Sequence, residues 1–368
     1  PAARHQIRIK DKKFFKALAS PDAFHLGEAY VNGYFDIKGN INELYELFFK
    51  KLLKTDHKKN LIRRIIEPFL SPESVEKKNI SHHYDVPSRF YRQFLGRTMG
   101  YTCGYYSAMD TSTDDAQEMK MDIICRKLRL EKNDRLLDIG CGWGNFAVYA
   151  AKHYDAQVIG ITLSREQKAY ADQWVNAENL SEKVQIKRLN YRQLKGQTFD
   201  KISCIGMSEH VGRKNMAGFY NIVHQALKKG GLFMQHTITT HKKYKKGYVN
   251  PFMDKYMFPG GQLMSEHELI GLAGTSGFEL LSAENFRPHY VRTLNDWINR
   301  MESARGQLLE IIPENVFRIY HIFFIGSMIA FKQKQLALFQ NLFHKPHEEL
   351  SQTDLFSTPY AAHELRTS

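Results

Sequence analysis

Asp138-Ile139-Gly140-Cys141-Gly142-Trp143-Gly144 sets three glycines at alternate positions behind an acid. With a strand ending at Asp138 and a helix beginning after Gly144, backbone N–H groups can approach a ligand closely and the helix turns its N-terminus toward it. The spacing is tighter than the G-x-G-x-x-G of dinucleotide folds, and an acid here repels a pyrophosphate while attracting a cationic amino group. The loop therefore selects an amino-acid-derived cofactor, S-adenosyl-L-methionine, over NAD, with Asp138, Gly140, Gly142 and Gly144 as candidate ligands. The next strand ends Gly160-Ile161-Thr162-Leu163-Ser164 and leads into a helix at Arg165-Glu166-Gln167. The acid usual for ribose hydroxyls is missing there. Thr162 and Gln167 offer a hydroxyl and an amide in its place, while Ser164 with Gln167 also matches a capping box that serves only the helix. Asn190-Tyr191-Arg192 at the third strand end is placed to border an adenine.

The fourth strand ends Cys204-Ile205-Gly206-Met207-Ser208-Glu209-His210-Val211-Gly212 and the fifth Gln235-His236-Thr237-Ile238. Glu209 and His236 thus project toward the same end of the sheet as the glycine loop. Two titratable groups converging beside a methyl donor fit proton transfer better than a purely structural hydrogen-bonding role.

The elements that would position these groups follow in order. Met121, Ile124 and Leu128 mark one face of a helix ahead of the apolar strand 135–138. Helix 145–153, strand 157–162, helix 165–178, strand 184–189, strand 199–205, helix 214–228 and strand 231–237 come next. Such alternation predicts a doubly wound, Rossmann-like α/β sheet of parallel strands, with ligands at the carboxyl ends of the strands. Residues 1–52 read as a small N-terminal α+β lobe: a strand over 6–10, a helix through Phe14, Phe15 and Leu18, and a turn-rich stretch at 27–33. Around 53–78, Lys and Arg interleave with Leu53, Leu61, Ile62, Ile65, Ile66, Phe69 and Leu70, a pattern that fits a basic amphipathic linker or an ordinary packed helix. The catalytic domain is expected over 79–345, with helical and aromatic lid insertions at about 239–264 and 285–345. The first carries Lys242, Lys243, Lys245 and Lys246; in the second, 292–343 reads as two or more helices, and 346–368 is a polar tail.

Hydrophobic residues make up 43% of the 368 and charged residues 25%, which places the chain among globular proteins and excludes global disorder. The net charge of +13 favours an anionic partner or forms a solvated face. Cys103, Cys125, Cys141 and Cys204 form neither a CxxC pair nor a disulfide-dense pattern, so reduced thiols in the cytosol and no metal site are expected. The polar, basic start of the sequence carries no signal-peptide pattern, and the most apolar run, 322–331, falls short of the about 20 residues that cross a bilayer.

One combination is far more specific than any of its members: His83-Tyr84-Asp85, Tyr101-Thr102-Cys103-Gly104-Tyr105, the glycine loop, Gly160-Ile161-Thr162-Leu163-Ser164, Glu209-His210-Val211-Gly212 and His236-Thr237-Ile238. Along nearly its whole length the chain resembles the cyclopropane-fatty-acyl-phospholipid synthases, relatives of the mycolic acid cyclopropane synthases. The resemblance implies a class I S-adenosylmethionine-dependent methyltransferase fold. It also implies an enzyme that adds a methylene to the cis double bond of unsaturated acyl chains in membrane phospholipids. The lobe with Leu26-Gly27-Glu28-Ala29-Tyr30 is similar to the N-terminal domain of the bacterial phospholipid enzymes, which the mycolic acid enzymes lack. By the same resemblance a bicarbonate ion serves as base, held by Cys103, Glu209, His236, Tyr290 and the backbone of Ile205. Tyr101 and Thr102 then touch the methionine end of the cofactor, and Gly140, Gly142, Thr162 and Gln167 line the rest. Ser208 departs from the family, which commonly has Phe before Glu-His-Val-Gly, and loss of that ring is expected to reshape the acyl pocket.

A cis alkene is a poor nucleophile, so such an enzyme must hold its π face within about 3–3.5 Å of the sulfonium methyl. Water must be kept from the carbocation that follows, and aromatic faces can stabilise it. The expected partners are unsaturated phospholipids and the anionic inner face of the cell membrane, approached as a peripheral protein. A homodimer is compatible with the sequence. Nucleic acid is not expected, since neither an Asn/Asp-Pro-Pro-Tyr/Phe motif nor the cysteine motif of pyrimidine C5 methylation is present. The rival readings are a fatty-acyl C-methyltransferase giving a branched chain, a small-amine N-methyltransferase and a non-enzymatic lipid-binding protein.

Overall fold

The computed structural model describes residues 6–19, 23–38, 86–194, 196–240 and 250–347. The amphipathic segment 53–78, the motif His83-Tyr84-Asp85, the lysine cluster 242–246 and the tail beyond 347 lie outside these residues. The chain divides into two compact units.

The first unit gathers the described residues up to Phe94, those from 250 to Gly261, and Leu294–Gln333. Strand β1 (Gln6–Ile9) pairs antiparallel with β2 (Phe35–Lys38), with the helices Lys13–Ala19 and Ala23–Val31 between them. Residues 27–31, expected in a turn, are helical; the chain turns only at Asn32 and Gly33, where φ reaches +71°. Gly27 is small for a different reason. A Cβ there would lie 3.0 Å from the ring of Phe252, so the helix needs glycine to admit a neighbour rather than to reverse direction. The buried guanidinium of Arg318, on the helix Glu314–Lys332, donates to the carbonyls of Tyr30 and Phe35 at 3.1 Å each and pairs with Asp36 and Glu314. Phe90, Tyr91, Phe94, Trp297, Tyr320 and Phe324 meet edge-on or tilted, and the Tyr91 and Tyr320 hydroxyls lie 2.7 Å apart. All six are buried, so the rings that Trp297, Tyr320 and Phe324 contribute from the anticipated aromatic segment are core. Among the described residues no helix is long and apolar enough to cross a membrane.

In the second unit, Leu136 and Leu137 point to opposite faces of one strand and both are buried, as a strand covered by helices on each side requires. The strands are β3 (Arg135–Ile139), β4 (Gln157–Thr162), β5 (Val184–Arg188), β6 (Phe199–Ile205), β7 (Leu227–Thr240), β8 (Glu279–Asn285) and β9 (Leu336–His344). They lie in the order β5-β4-β3-β6-β7-β9-β8; β5 to β7 are parallel, while β9 runs antiparallel to both β7 and β8. The expected doubly wound α/β sheet is therefore present but mixed. The correction falls at one end: 336–343, read as part of a helical lid, is the sheet strand β9. Its apolar run is covered on both faces, and a buried strand without polar alternation reads like a buried helix. The helices Asn145–Tyr154, Arg165–Ala177 and Met216–Ala226 connect the parallel strands. Ahead of them, the helix Thr113–Lys127 is capped by the Ser112 hydroxyl, which accepts from the Asp115 N–H. Strand order reverses between β3 and β6, which marks the switch point where such sheets bind ligands.

Candidate active site

At the switch point β3 runs into the glycine loop. Gly140, Gly142 and Gly144 have φ of +78°, +54° and +89°. The N–H groups of Gly140 and Cys141 both donate to the Ile161 carbonyl at 2.9 Å, folding the loop back onto β4. A Cβ on Gly140 would sit 2.5 Å from Met207, in the turn after β6, whereas one on Gly142 would meet nothing within 4 Å. Gly142 is thus demanded by its backbone conformation and leaves its face open to a ligand. Asp138 is buried and accepts from the Ser203 hydroxyl at 2.8 Å; burial raises its carboxyl to about 6, against the pull of Ser203 and Lys120.

At the end of β4, the Thr162 hydroxyl donates to Gln167 Oε1 at 2.8 Å and accepts from the Ser164 N–H at 3.2 Å. Ser164 caps the helix by accepting from the Gln167 N–H. Only half of the anticipated capping box forms, because the Gln167 side chain goes to Thr162, which turns its NH2 group elsewhere. Asn190 and Tyr191 are committed locally. The Asn190 side chain accepts from Arg192 N at 3.0 Å, and the Tyr191 ring packs edge-on against Phe219, 5.2 Å between centroids.

Tyr101, Thr102 and Cys103 lie on a segment clamped from two sides. From the helix Thr113–Lys127, Gln117 Nε2 donates to the Thr102 carbonyl at 2.6 Å and Lys120 Nζ to the Thr102 hydroxyl at 2.9 Å. From the helix Arg287–Ser303, Thr293 Oγ1 accepts from Gly104 N at 3.1 Å, and His289 Nδ1 accepts from Tyr106 N at 3.1 Å. The Thr102 methyl in turn lies 2.6 Å from where a Cβ on Gly206 would stand, just past β6. Lys120 is buried, which lowers its ammonium to about 8, with Cys103 and Asp138 pulling the other way.

The candidate proton-transfer groups sit next to this clamp. Ile205 pairs with His236 across β6 and β7, and Gly206 N donates to the His236 carbonyl at 2.8 Å. Beyond that last rung, Glu209 Oε1 accepts from the Ile238 N–H at 2.7 Å, so the carboxylate prolongs the ladder where β6 has ended. Glu209 Oε2 and His236 Nε2 are buried and have no hydrogen-bond partner among the described residues. Burial raises the Glu209 carboxyl to about 7, against the donation from Ile238 and the pull of the nearby Thr237 and Ser208 hydroxyls. Burial, with Lys120 and Lys127 nearby, holds His236 well below the usual histidine range, so the ring is neutral. Burial raises the Cys103 thiol far above its ordinary value, so it is a protonated hydrogen-bond donor and no nucleophile. Its Sγ donates to the carbonyls of Gly104 at 3.1 Å and Phe286 at 3.8 Å. The same Phe286 carbonyl accepts from Tyr290 N at 3.2 Å, and the Phe286 ring lies 6.2 Å from that of His236. Cys103, His236 and the backbone of Tyr290 thus meet around Phe286. Ser208 is buried and donates to the Thr237 hydroxyl at 2.9 Å, so its side chain is turned onto β7.

Gln117, Lys120, Thr293 and Gln340 escaped the sequence reading. For the first two a signal existed. Positions 113, 116, 117, 120, 121, 124 and 125 form one buried helix face, and an amide and an ammonium in such a stripe stand out against Ala116, Met121 and Ile124.

A doubly wound sheet with an acid and a G-x-G-x-G loop at its switch point defines a class I S-adenosyl-L-methionine-dependent methyltransferase. Residues 72–341 match the family model described as mycolic acid cyclopropane synthetase, and the chain belongs to that family. It is 35% identical over 357 residues to a probable fatty acid methyltransferase of Pseudomonas putida, covering 95% of this chain and 89% of that protein. Over 353 residues it is 32% identical to the cyclopropane-fatty-acyl-phospholipid synthase of Escherichia coli strain K12, covering 94% and 89%. Among solved structures it is similar to the mycolic acid cyclopropane synthase CmaA1 complexed with SAH and CTAB, with a TM-score of 0.69 and 30% identity over 73% of this chain and 98% of that one. The protein is accordingly an enzyme, an S-adenosylmethionine-dependent methyltransferase of the cyclopropane fatty acid synthase type.

Proposed function

We propose that the enzyme methylates the cis double bond of unsaturated acyl chains in membrane phospholipids and closes the product into a cyclopropane ring, with bicarbonate as base. The observation that carries this reading is the pair of buried atoms His236 Nε2 and Glu209 Oε2, both without a partner among the described residues. They are attached two residues apart on β7, one through the side chain of His236 and the other through the N–H of Ile238. An unpaired buried polar group costs about 1–3 kcal/mol, so two where β6 ends against β7, beside a cofactor loop, suit a small polar ligand. Bicarbonate matches this donor set, because its oxygens accept from a ring N–H and its OH donates to a carboxylate.

S-adenosylmethionine supplies the electrophilic methyl, and bound bicarbonate supplies the base. Adding a methyl to an alkene leaves positive charge on the neighbouring carbon. Loss of a proton from the added methyl closes the ring, whereas loss from an adjacent chain carbon leaves a methyl-branched alkene. The protein decides between these by fixing where the proton is taken. Glu209 is pinned by Ile238, the segment of Cys103 by Lys120, Gln117 and Thr293, and His236 by its place inside β7. A branched product is the second reading, favoured by similarity to the Pseudomonas putida fatty acid methyltransferase.

The acyl substrate lies in a bilayer, so the enzyme works as a peripheral protein at the inner face of the cell membrane. Ile9, Phe15 and Leu18 are exposed apolar side chains flanked by Arg8, Lys10, Lys12, Lys13 and Lys16, a composition suited to anionic headgroups. Neutralising Lys242, Lys243, Lys245 and Lys246 is expected to weaken vesicle binding and its salt sensitivity; unchanged binding removes that cluster from the docking face.

Labelled methyl donor incubated with the protein and unsaturated phospholipid vesicles, with and without bicarbonate, tests the main reading. Mass spectrometry and NMR of the fatty acids should show one added methylene and cyclopropyl protons, formed faster with bicarbonate. A methyl-branched alkene would establish the second reading, and transfer only to amines or RNA would overturn both.

A further inference from the structure

The other nitrogen of His236 is not idle. Nδ1 lies 3.2 Å from Gln340 Nε2, on the β9 residue paired with His236 in the sheet. An amide can present either end to an imidazole, and the choice decides which ring nitrogen carries the proton. Here the far end of the amide settles it. Lys127 Nζ lies 2.7 Å from Gln340 Oε1 and 2.9 Å from Glu284 Oε1, and 5.1 Å from the centroid of the Phe286 ring. An ammonium paired with a carboxylate only donates, so the amide end facing Lys127 is the oxygen. The end facing His236 is then the NH2, which only donates. A neutral imidazole that accepts at Nδ1 carries its proton on Nε2.

We infer that Lys127 and Gln340 are positioning residues that fix His236 as the Nε2–H tautomer and so make its buried, unpartnered nitrogen a hydrogen-bond donor to an anion. The relay runs from Glu284 through Lys127 and Gln340 to His236, and each member is oriented by the one before. In the opposite tautomer Nε2 would be a lone pair, which repels an anionic oxygen. Gln340 is fully buried within the sheet, which denies its amide any alternative partner in water. The charged groups whose fields reach the ring are Lys127 and Lys120, and both disfavour an imidazolium. The ring therefore donates through tautomer choice and not through added charge. That an anion occupies the site rests on the function proposed above; the tautomer does not.

The test is spectroscopic. In protein labelled with 15N-histidine, long-range proton–nitrogen NMR separates a protonated ring nitrogen from a bare one, and His236 is identified by the signals lost in His236→Gln. The wild type is expected to show a protonated Nε2 and a bare Nδ1. In Lys127→Met and Gln340→Leu, checked for retained S-adenosylhomocysteine binding, the two nitrogens should move toward intermediate shifts as the tautomers mix. A bare Nε2 in the wild type, or an unchanged tautomer in both variants, would overturn the relay. Should neither variant fold, the wild-type spectrum alone decides. Added bicarbonate should then shift the Nε2 signal; no shift with the tautomer confirmed removes the anion and leaves the relay standing.

Discussion

Around the glycine loop the polar side chains already have partners: Asp138 takes Ser203, Thr162 takes Gln167, and Asn190 takes Arg192 N. What remains for a ligand is open backbone, as at Gly142, together with the Gln167 NH2 group that the bond to Thr162 leaves over. Around β7 the reverse holds. Backbone groups are consumed by the ladder and by Glu209, and what remains are buried side-chain atoms, among them His236 Nε2 and Glu209 Oε2. Under the proposed function, a cofactor common to many reactions would be held largely by main chain, which tolerates substitution, whereas proton handling would depend on particular titratable groups whose ionisation is set by burial. Changes on the β7 side should therefore alter chemistry with binding intact, and changes at the loop should do the opposite.

Glu209→Gln probes the first half most sharply. It keeps an acceptor for the Ile238 N–H and removes the charge. Turnover should fall about 10²–10⁴-fold, the usual worth of a positioned proton-transfer group, while calorimetric binding of S-adenosylhomocysteine stays unchanged. In the wild type kcat/KM should rise with pH through about 7, where the Glu209 carboxyl ionises, and the variant should lack that limb. A parallel loss of cofactor affinity would dissolve the distinction between the halves.

Lys120 stands between the halves, influencing Asp138 on one side and Cys103 and His236 on the other. Burial lowers its ammonium to about 8 from 10.5. Below about 8 the folded and unfolded chains both hold the proton. Between about 8 and 10.5 the unfolded chain keeps a proton that the folded one has released, so unfolding takes up a proton and stability rises with pH. Relative to Lys120→Met, the wild type should gain up to about 3 kcal/mol across that window in urea titrations. Taking the difference between the two proteins cancels the other alkaline groups. A flat difference would show that Lys120 is charged without penalty.

Sequence pattern exposed the loop half far better than the β7 half, and the reason is physical. Glycines at alternate positions behind an acid, between an apolar strand and a helix, leave few other structures, and β3 to β7 were anticipated within a few residues, apart from the N-terminal extension of β7. Glu209 and His236 were visible as titratable residues at strand ends. Their supports were not. Gln340 lies in β9, whose apolar run carries no period that separates strand from helix, and its partner Lys127 ends a helix more than 200 residues away in the chain. Gly27 misled for a related reason, since glycine serves close contact as well as turns.

Gly140→Ala tests the loop. The new methyl meets Met207 at 2.5 Å and the backbone keeps a positive φ, whereas Gly142→Ala meets only the second difficulty. Strain of about 1–3 kcal/mol at the first position should weaken S-adenosylhomocysteine binding by roughly tenfold to a hundredfold. The loss at Gly142 should be smaller unless the open face is where the cofactor sits, in which case the methyl excludes it and the order inverts. Either order places the cofactor; equal and negligible losses would mean that the loop does not bind it.

The smallest effect is expected from Thr162→Val, and it addresses the claim that side chains on the loop side serve one another. The substitution keeps shape and removes the hydroxyl that donates to Gln167 Oε1 and accepts from Ser164 N. Gln167 would then be free to rotate, and Ser164 N would lose an acceptor next to the cap of its helix. Loss of one such bond is worth about 1 kcal/mol, which corresponds to roughly a fivefold weaker cofactor if Thr162 acts only by aiming the Gln167 amide. Gln167→Ala should then cost about as much as the double variant, because Thr162 has nothing left to aim. If the two losses add instead, Thr162 meets the cofactor directly, and the loop half depends on side chains more than its hydrogen bonds imply.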